Sequence, residues 1–212
     1  MYVVYHGSEG LKNIAHDIHL KTVVLSDKLE ELGYTQENKY FFDSLKIKLP
    51  DTVELKEFKK IAIKKKVNFR YLKDNFVMIS IDETTSLLDL ERILRIFSLA
   101  IGGEFQKIDK LPNKQVLPDT FKRKGEILEQ DVFKRYHSET EMMRYIKTLE
   151  RKDMSLTQLM ISLGSCTMKL NPANVMMPLS NPAAGEMHPF VPASQAKGYQ
   201  QMIEELSNDL LE

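Results

Sequence analysis

Tryptophan is absent from these 212 residues, and cysteine occurs once, at Cys166. A lone cysteine excludes an internal disulfide framework, so stability has to come from a packed core, and it favours a reducing compartment. Acidic and basic residues balance at 30 each. The resulting zero net charge argues against nucleic acid or an anionic membrane as partner. No apolar run approaches the ~20 residues that cross a bilayer. The opening stretch, MYVVYHGSEGLKNIA, has no basic n-region and no cleavage-like site, so it does not read as a signal peptide. Of the histidines only His16 and His19 are close, and no cysteine or carboxylate cluster completes a metal site around them, so no metal is expected. Dinucleotide and Walker-type glycine loops are missing, as is a G-x-S-x-G elbow. What remains is 42% hydrophobic and 28% charged, the balance of a globular chain and too apolar for a disordered one.

The first residues read as a strand end feeding a helix that Gly7 or Ser8 caps. Leu11, Ile14, Ala15, Ile18, Leu25, Leu29 and Leu32 recur at helical spacing, and Gly33 supplies the stop. Leu45, Ile47 and Leu49 alternate with Ser44, Lys46 and Lys48, which is the period of a half-buried strand. A second helix follows Pro50-Asp51-Thr52 with Leu55, Phe58, Ile61 and Ala62 on one face. Its lysines, Lys59, Lys60, Lys64, Lys65 and Lys66, read as the solvated side. Val67, Phe69 and Tyr71 alternate again, Lys73-Asp74-Asn75 turns, and Phe76 to Ile81 is β-rich: a hairpin. Thr84 or Thr85 opens a third helix carrying Leu90, Ile93, Leu94 and Phe97, closed by Gly102-Gly103. The order helix, strand, helix, two strands, helix predicts an α+β layer, with helices on one face of a small antiparallel or mixed sheet.

Periodicity fades from Glu104 to Lys124, where Pro112 and Pro118 mark a linker. Beyond it, Ser138 and Glu141 have the spacing of a capping box for a helix facing Met142, Tyr145, Ile146 and Leu149 inward. From Gly164 to Pro192, five prolines and no regular period predict irregular chain. A last helix then displays Tyr199, Met202, Ile203, Leu206 and Leu210 as an apolar stripe without a partner in the segment. That pattern breaks off at Glu212, and both ends read as cut from a longer chain. Within the irregular stretch, Gly164-Ser165-Cys166-Thr167-Met168-Lys169 gathers two hydroxyls, a thiol and a cation beside a glycine that lets backbone approach a ligand closely. Two readings stay open at this level: a polar structural turn, or a pocket for a carboxylate or phosphate.

YHSETEMMRYIKTLERKDMSL, LGSCTMKLNP, HPF and GYQQMIEELS, in that order, closely resemble the glycine cleavage system P-protein family, the decarboxylating glycine dehydrogenases. MYVVYHGSEGLKNIA resembles the family's entry into the small domain that closes its first half. The resemblance implies a fold type I pyridoxal-phosphate enzyme built of two related halves. In that scheme residues 1–103 are the α+β small domain of the first half and residues 104–124 a linker. Residues 125–212 are then the mostly helical N-terminal segment of the cofactor-carrying second half. It implies an enzyme that decarboxylates glycine on pyridoxal phosphate and passes the aminomethyl group to a lipoyl carrier protein, as a dimer and, in a bacterium, in the cytoplasm. The family's Schiff-base lysine sits in an Asn-Leu-His-Lys-Thr type segment absent here, so it is expected beyond Glu212. This segment alone is expected to bind no cofactor, to hold no catalytic residue and to be inactive without the remainder of the P-protein. Ser165, Cys166, Thr167, Lys169 and His188 become the candidates for the glycine end of the pocket or the lipoyl entrance. The alternative is a non-catalytic binding or oligomerisation module.

Overall fold

A computed structural model describes residues 1–104, 107–108, 111, 117–155, 158 and 172–211. The chain divides into two compact units, Met1–Tyr145 and Ile146–Glu212.

In the first unit, strict alternation along the strands decides the layering. The helix α1 (Tyr2–Glu31) is followed by β1 (Thr35–Gln36), β2 (Ser44–Lys48), α2 (Leu55–Lys64), β3 (Arg70–Leu72), β4 (Phe76–Ser80) and α3 (Leu87–Ala100). The strands form one antiparallel sheet in the order β1-β2-β4-β3. Leu45 lies opposite Ile79 and Ile47 opposite Val77. These four point inward with Leu49 and Ile81, and join Leu25 and Leu29 of α1, Phe58 and Ala62 of α2, and Leu90, Leu94 and Phe97 of α3 in one core. Side chains one residue out of phase, Lys46, Lys48, Phe76 and Met78, point to the other side of the sheet. The result is the α+β layer that the pattern predicts.

The helix ends follow from local chemistry. Gly33, at φ 88°, ends α1: its N–H bonds to the Glu30 carbonyl and that of Tyr34 to the Leu29 carbonyl, the two bonds of a Schellman motif. Gly102 and Gly103 repeat the device at the end of α3 with Leu99 and Ser98. At the start of α3 the cap is Ser86, one or two residues later than the threonines suggest. Ser86 and Asp89 form a reciprocal capping box. Thr84 and Thr85 instead turn their hydroxyls onto the Asp82 carboxylate, 2.8 Å away in each case. Those bonds, led by that from Thr84, hold Asp82 below its ordinary carboxylate range, as the Ser86 hydroxyl does for Asp89.

Phe97 is the hub of the core. Its ring meets Tyr34, Phe58 and Phe69 edge-on at centroid distances of 4.9, 4.7 and 5.8 Å. Its carbonyl accepts the buried Tyr34 hydroxyl at 2.7 Å. Burial pushes that phenol far above its usual range, so it stays a donor.

Three features depart from the expectation. Residues 2–6 are helical rather than a strand end, and Thr35–Gln36 adds an unforeseen edge strand. Pairing in the hairpin's first arm is confined to Arg70–Leu72, short of the alternation from Val67. Further on, Ile108 is buried in the core with its N–H on Glu91, and Leu111 packs against it. After the 3₁₀ turns Asp119–Phe121 and Asp131–Lys134, α4 (Glu139–Glu150) begins at Ser138, whose hydroxyl accepts the Glu141 N–H at 3.3 Å.

In the second unit the proline-rich stretch is more regular than expected. It forms the single-turn helices α5 (Ala173–Met176) and α6 (Pro182–Gly185) and the 3₁₀ turns Met177–Ser180 and Ala193–Gln195. Pro172, Pro182 and Pro192 sit at or just before the first position of their turns and Pro178 at the second, where a missing N–H costs nothing. The last helix, α7 (Lys197–Asp209), carries the predicted stripe in the open: Met202, Ile203 and Leu206 are 55–59% exposed.

Two substitutions test this account. Tyr34→Phe strands the Phe97 carbonyl and should cost about 1–3 kcal/mol in denaturant unfolding. Ser86→Ala should cost about 1 kcal/mol near neutral pH. Asp89 has a depressed folded pKa, so its contribution is present above its ordinary value of 3.8 and fades as pH falls through the lower folded value. The gap in melting temperature between wild type and Ser86→Ala should therefore narrow in acid.

Candidate functional site

The glycine in the segment HGSEG breaks α1 near its start. Gly7 takes φ 61° and ψ −169°, a region closed to side chains, so the helix is a short turn, 2–6, joined at an angle to a long one. The short turn is held from outside: the Tyr2 hydroxyl donates to the Glu83 carboxylate, and Tyr2 and Tyr5 flank the His6 ring at 4.4 and 5.3 Å.

The break frees the Tyr5 carbonyl from the helical ladder, and His137 takes it, with Nδ1 2.8 Å from the oxygen. Since a carbonyl only accepts, Nδ1 carries the proton in this bond and Nε2 of the neutral ring is left as an acceptor. The approach is close enough to need glycine. A Cβ on Gly7 would stand 2.7 Å from both the Phe133 carbonyl oxygen and His137 Cε1. His137 immediately precedes Ser138, the cap of α4, so the same contact fixes where α4 begins.

Between these walls lies a cavity of about 530 Å³, lined by residues 6–9 on one side and by 126–129, Phe133, Lys134 and His137 on the other. Leu128 on its rim has φ 57°, a strained backbone for a residue with a γ-branched side chain. Lys12 ties the walls together, with Nζ 3.0 Å from Glu9 and 3.5 Å from Glu126. The Glu9 bond, and after it Glu126, holds the ammonium above the usual lysine range. Glu9, Glu126 and Glu129 make the lining rich in carboxylate, against Lys134 and two imidazoles. The arrangement suits a cationic or hydrogen-bonding group and repels a phosphate.

Of the residues singled out by sequence, Ser165, Cys166, Thr167 and Lys169 lie outside the described residues. His188 stands exposed in a turn; its Nδ1 accepts the Phe190 N–H at 3.0 Å, so Nε2 bears the proton of the neutral ring and points it outward as a donor. The Gly7–His137 cavity escaped the sequence reading. Its one local signal was the pair of glycines in HGSEG, and its other wall comes from far along the chain. The close histidine pair does not act together: His19 is buried, with Nδ1 2.9 Å from the Phe42 carbonyl and its ring stacked on Phe42.

The profile of the glycine cleavage system P-protein family matches residues 1–97, the part that supplies the Gly7 wall. Similarity to individual proteins runs through both walls and on to the end. The chain is 50% identical over 209 residues to a glycine dehydrogenase (decarboxylating) from Bacteroides thetaiotaomicron, covering 99% of this chain and 22% of that protein. It is 47% identical over 212 residues to the protein of that name from Christiangramia forsetii, with 100% and 22% covered. It is 42% identical over 213 residues to the mitochondrial one of Homo sapiens, with 100% and 21% covered. The chain thus spans about a fifth of the length of the curated relatives it matches.

Gly7→Ala should lower stability by about 1–3 kcal/mol through forced strain and clash, and hydrogen exchange should quicken across 126–137. His137→Asn, whose amide N–H sits near the position of Nδ1, should keep that segment protected, while His137→Gln should not.

Proposed function

Because the chain is related from end to end to one fifth of glycine dehydrogenase (decarboxylating), we propose that it serves as one section of a glycine-decarboxylating enzyme of the glycine cleavage system. The observation that carries this reading is the combination of 42–50% identity over 99–100% of the chain with coverage of only 21–22% of each relative. In this reading residues 1–103 are the small domain closing the first half of a fold type I enzyme, 104–124 link the halves, and 125–212 open the second half. Its setting, in a bacterium, is the cytoplasm, and its partners are glycine, a lipoyl carrier protein, the remaining protein and a second copy of the complete enzyme. No described helix is long and apolar enough to cross a membrane.

The Gly7–His137 cavity does not fit pyridoxal phosphate. The one lysine lining the Gly7–His137 cavity, Lys134, shares it with three glutamates, which oppose a dianionic phosphate. When bound in the complete enzyme, the cofactor supplies the electron sink that decarboxylation needs.

This chain contributes binding and orientation. The Lys169 ammonium with the Ser165 and Thr167 hydroxyls is a donor set suited to a carboxylate, and Cys166 adds a small polarisable side chain beside them. His188 adds an N–H donor at the glycine end of the pocket or at the lipoyl entrance. Holding the substrate carboxylate in one orientation is work a preorganised turn performs without rearranging in the transition state.

A second reading, a binding or oligomerisation module without catalysis, is favoured by one observation: the open stripe on α7, where Leu210 is 78% exposed. The readings separate experimentally. In the complete enzyme, Ser165→Ala and Lys169→Ala should each lower glycine turnover by at least about tenfold with folding intact, as for loss of a positioned donor. Wild-type turnover in both removes the pocket assignment. The 212-residue chain alone should show no tight binding of pyridoxal phosphate or glycine. It should self-associate on sedimentation in a way that Leu206→Glu abolishes.

A further inference from the structure

We propose that the uncovered face of the sheet docks a carboxylate-rich segment of another protein. The proposal holds whether or not the chain acts on glycine, because it rests on the sheet alone. The parity that buries Leu45, Ile47, Val77 and Ile79 sends Lys46, Lys48, Phe76 and Met78 to the opposite face. Arg70 lies across from Met78 in the row that Lys46 begins, so three cations surround a small apolar centre.

Other lysines lie over rings singly, Lys39 over Tyr40 and Lys59 over Tyr71, but among the described residues only Phe76 carries two. Lys46 and Lys48 both bring Nζ over the Phe76 ring, at 4.0 and 4.7 Å from its centroid. The ring attracts each ammonium but does not relieve the repulsion between them. Some lysines find carboxylates: Lys12 pairs with Glu9, Lys28 with Glu31, Lys60 with Glu57 and Lys147 with Glu150. Among the described residues, Lys46, Lys48 and Arg70 form no ion pair. Lys48 donates only to the Asp74 carbonyl. Glu37, which the β1 register brings beside Lys46, and Asp74, in the turn before β4, stand at the rim and pair with neither lysine. An incoming carboxylate would answer the cations while Met78 and Leu72 gain apolar cover.

Other occupants match less well. A nucleic-acid base needs a free aromatic face on such a sheet, and lysines occupy that of Phe76. A second copy related by a twofold axis would set these cations against themselves. A carboxylate-rich protein segment meets neither obstacle.

The test is anisotropy of a short labelled poly-L-glutamate titrated with the full 212-residue chain at low salt. A matched oligothymidylate is the competing probe, and circular dichroism serves as the check on folding. Lys46→Glu with Lys48→Glu should weaken poly-glutamate binding at least about tenfold. Lys60→Glu with Lys64→Glu, an equal charge change on the exposed side of α2, should alter it by less than about twofold, since interface charges act locally once salt screens the rest. If the strand pair fails to fold, Arg70→Glu on the edge strand takes its place, with a loss of at least about threefold expected. Equal weakening by the strand and helix pairs, tighter binding of oligothymidylate, or no binding of poly-glutamate would each overturn the proposal.

Discussion

A strand with a two-residue period commits every side chain to one of two faces, and that constraint organises the first unit. Once Leu45 and Ile47 are opposite Ile79 and Val77, the three long helices have only one side of the sheet on which to bury their stripes. A slip of one residue would bring Lys46 and Lys48 into the core, so the register is as firmly set as the core itself. The same rule leaves the cations on the open face. Core and candidate docking surface are therefore two consequences of one alternation.

Above that sheet, polar groups pin the parts that hydrophobic burial alone would leave loosely specified, one of them buried and one exposed. The Tyr34–Phe97 bond joins the turn that ends α1 to the last turn of α3 across 63 residues of chain. The His137–Tyr5 bond does the equivalent at the broken start of α1, anchoring the segment that leads into α4. Both use a backbone carbonyl as acceptor and a ring group as donor, so each fixes a direction as well as a distance. The cavity exists because the second bond holds two stretches of chain against each other at Gly7 while the residues behind them remain apart.

Much of the fold was legible because it is local. The alternation in β2 and β4, the stripes of α2 and α3, and Gly33 as the end of α1 are all patterns within about ten residues, where periodicity is informative. Ser86 was missed as a cap because Thr84 and Thr85 are equally good candidates by residue type. Only the position of Asp82, which takes both hydroxyls, decides among them. The prolines of the second unit read as breakers, yet they seed turns, since proline at a first helical position and proline between elements look alike in sequence. The site divides the same way. The SCTMK segment drew attention through its composition and its family likeness, whereas the Gly7–His137 cavity depends on two distant segments meeting, which no local pattern encodes.

Gly7 also constrains how this sequence can diverge. With a methyl group excluded by the Phe133 carbonyl as well as by the His137 ring, no exchange at 137 alone makes room for a side chain at 7. A descendant that replaced the glycine first would lose the carbonyl that its histidine holds, and one that lost the histidine first would keep a bent helix with nothing to bend for.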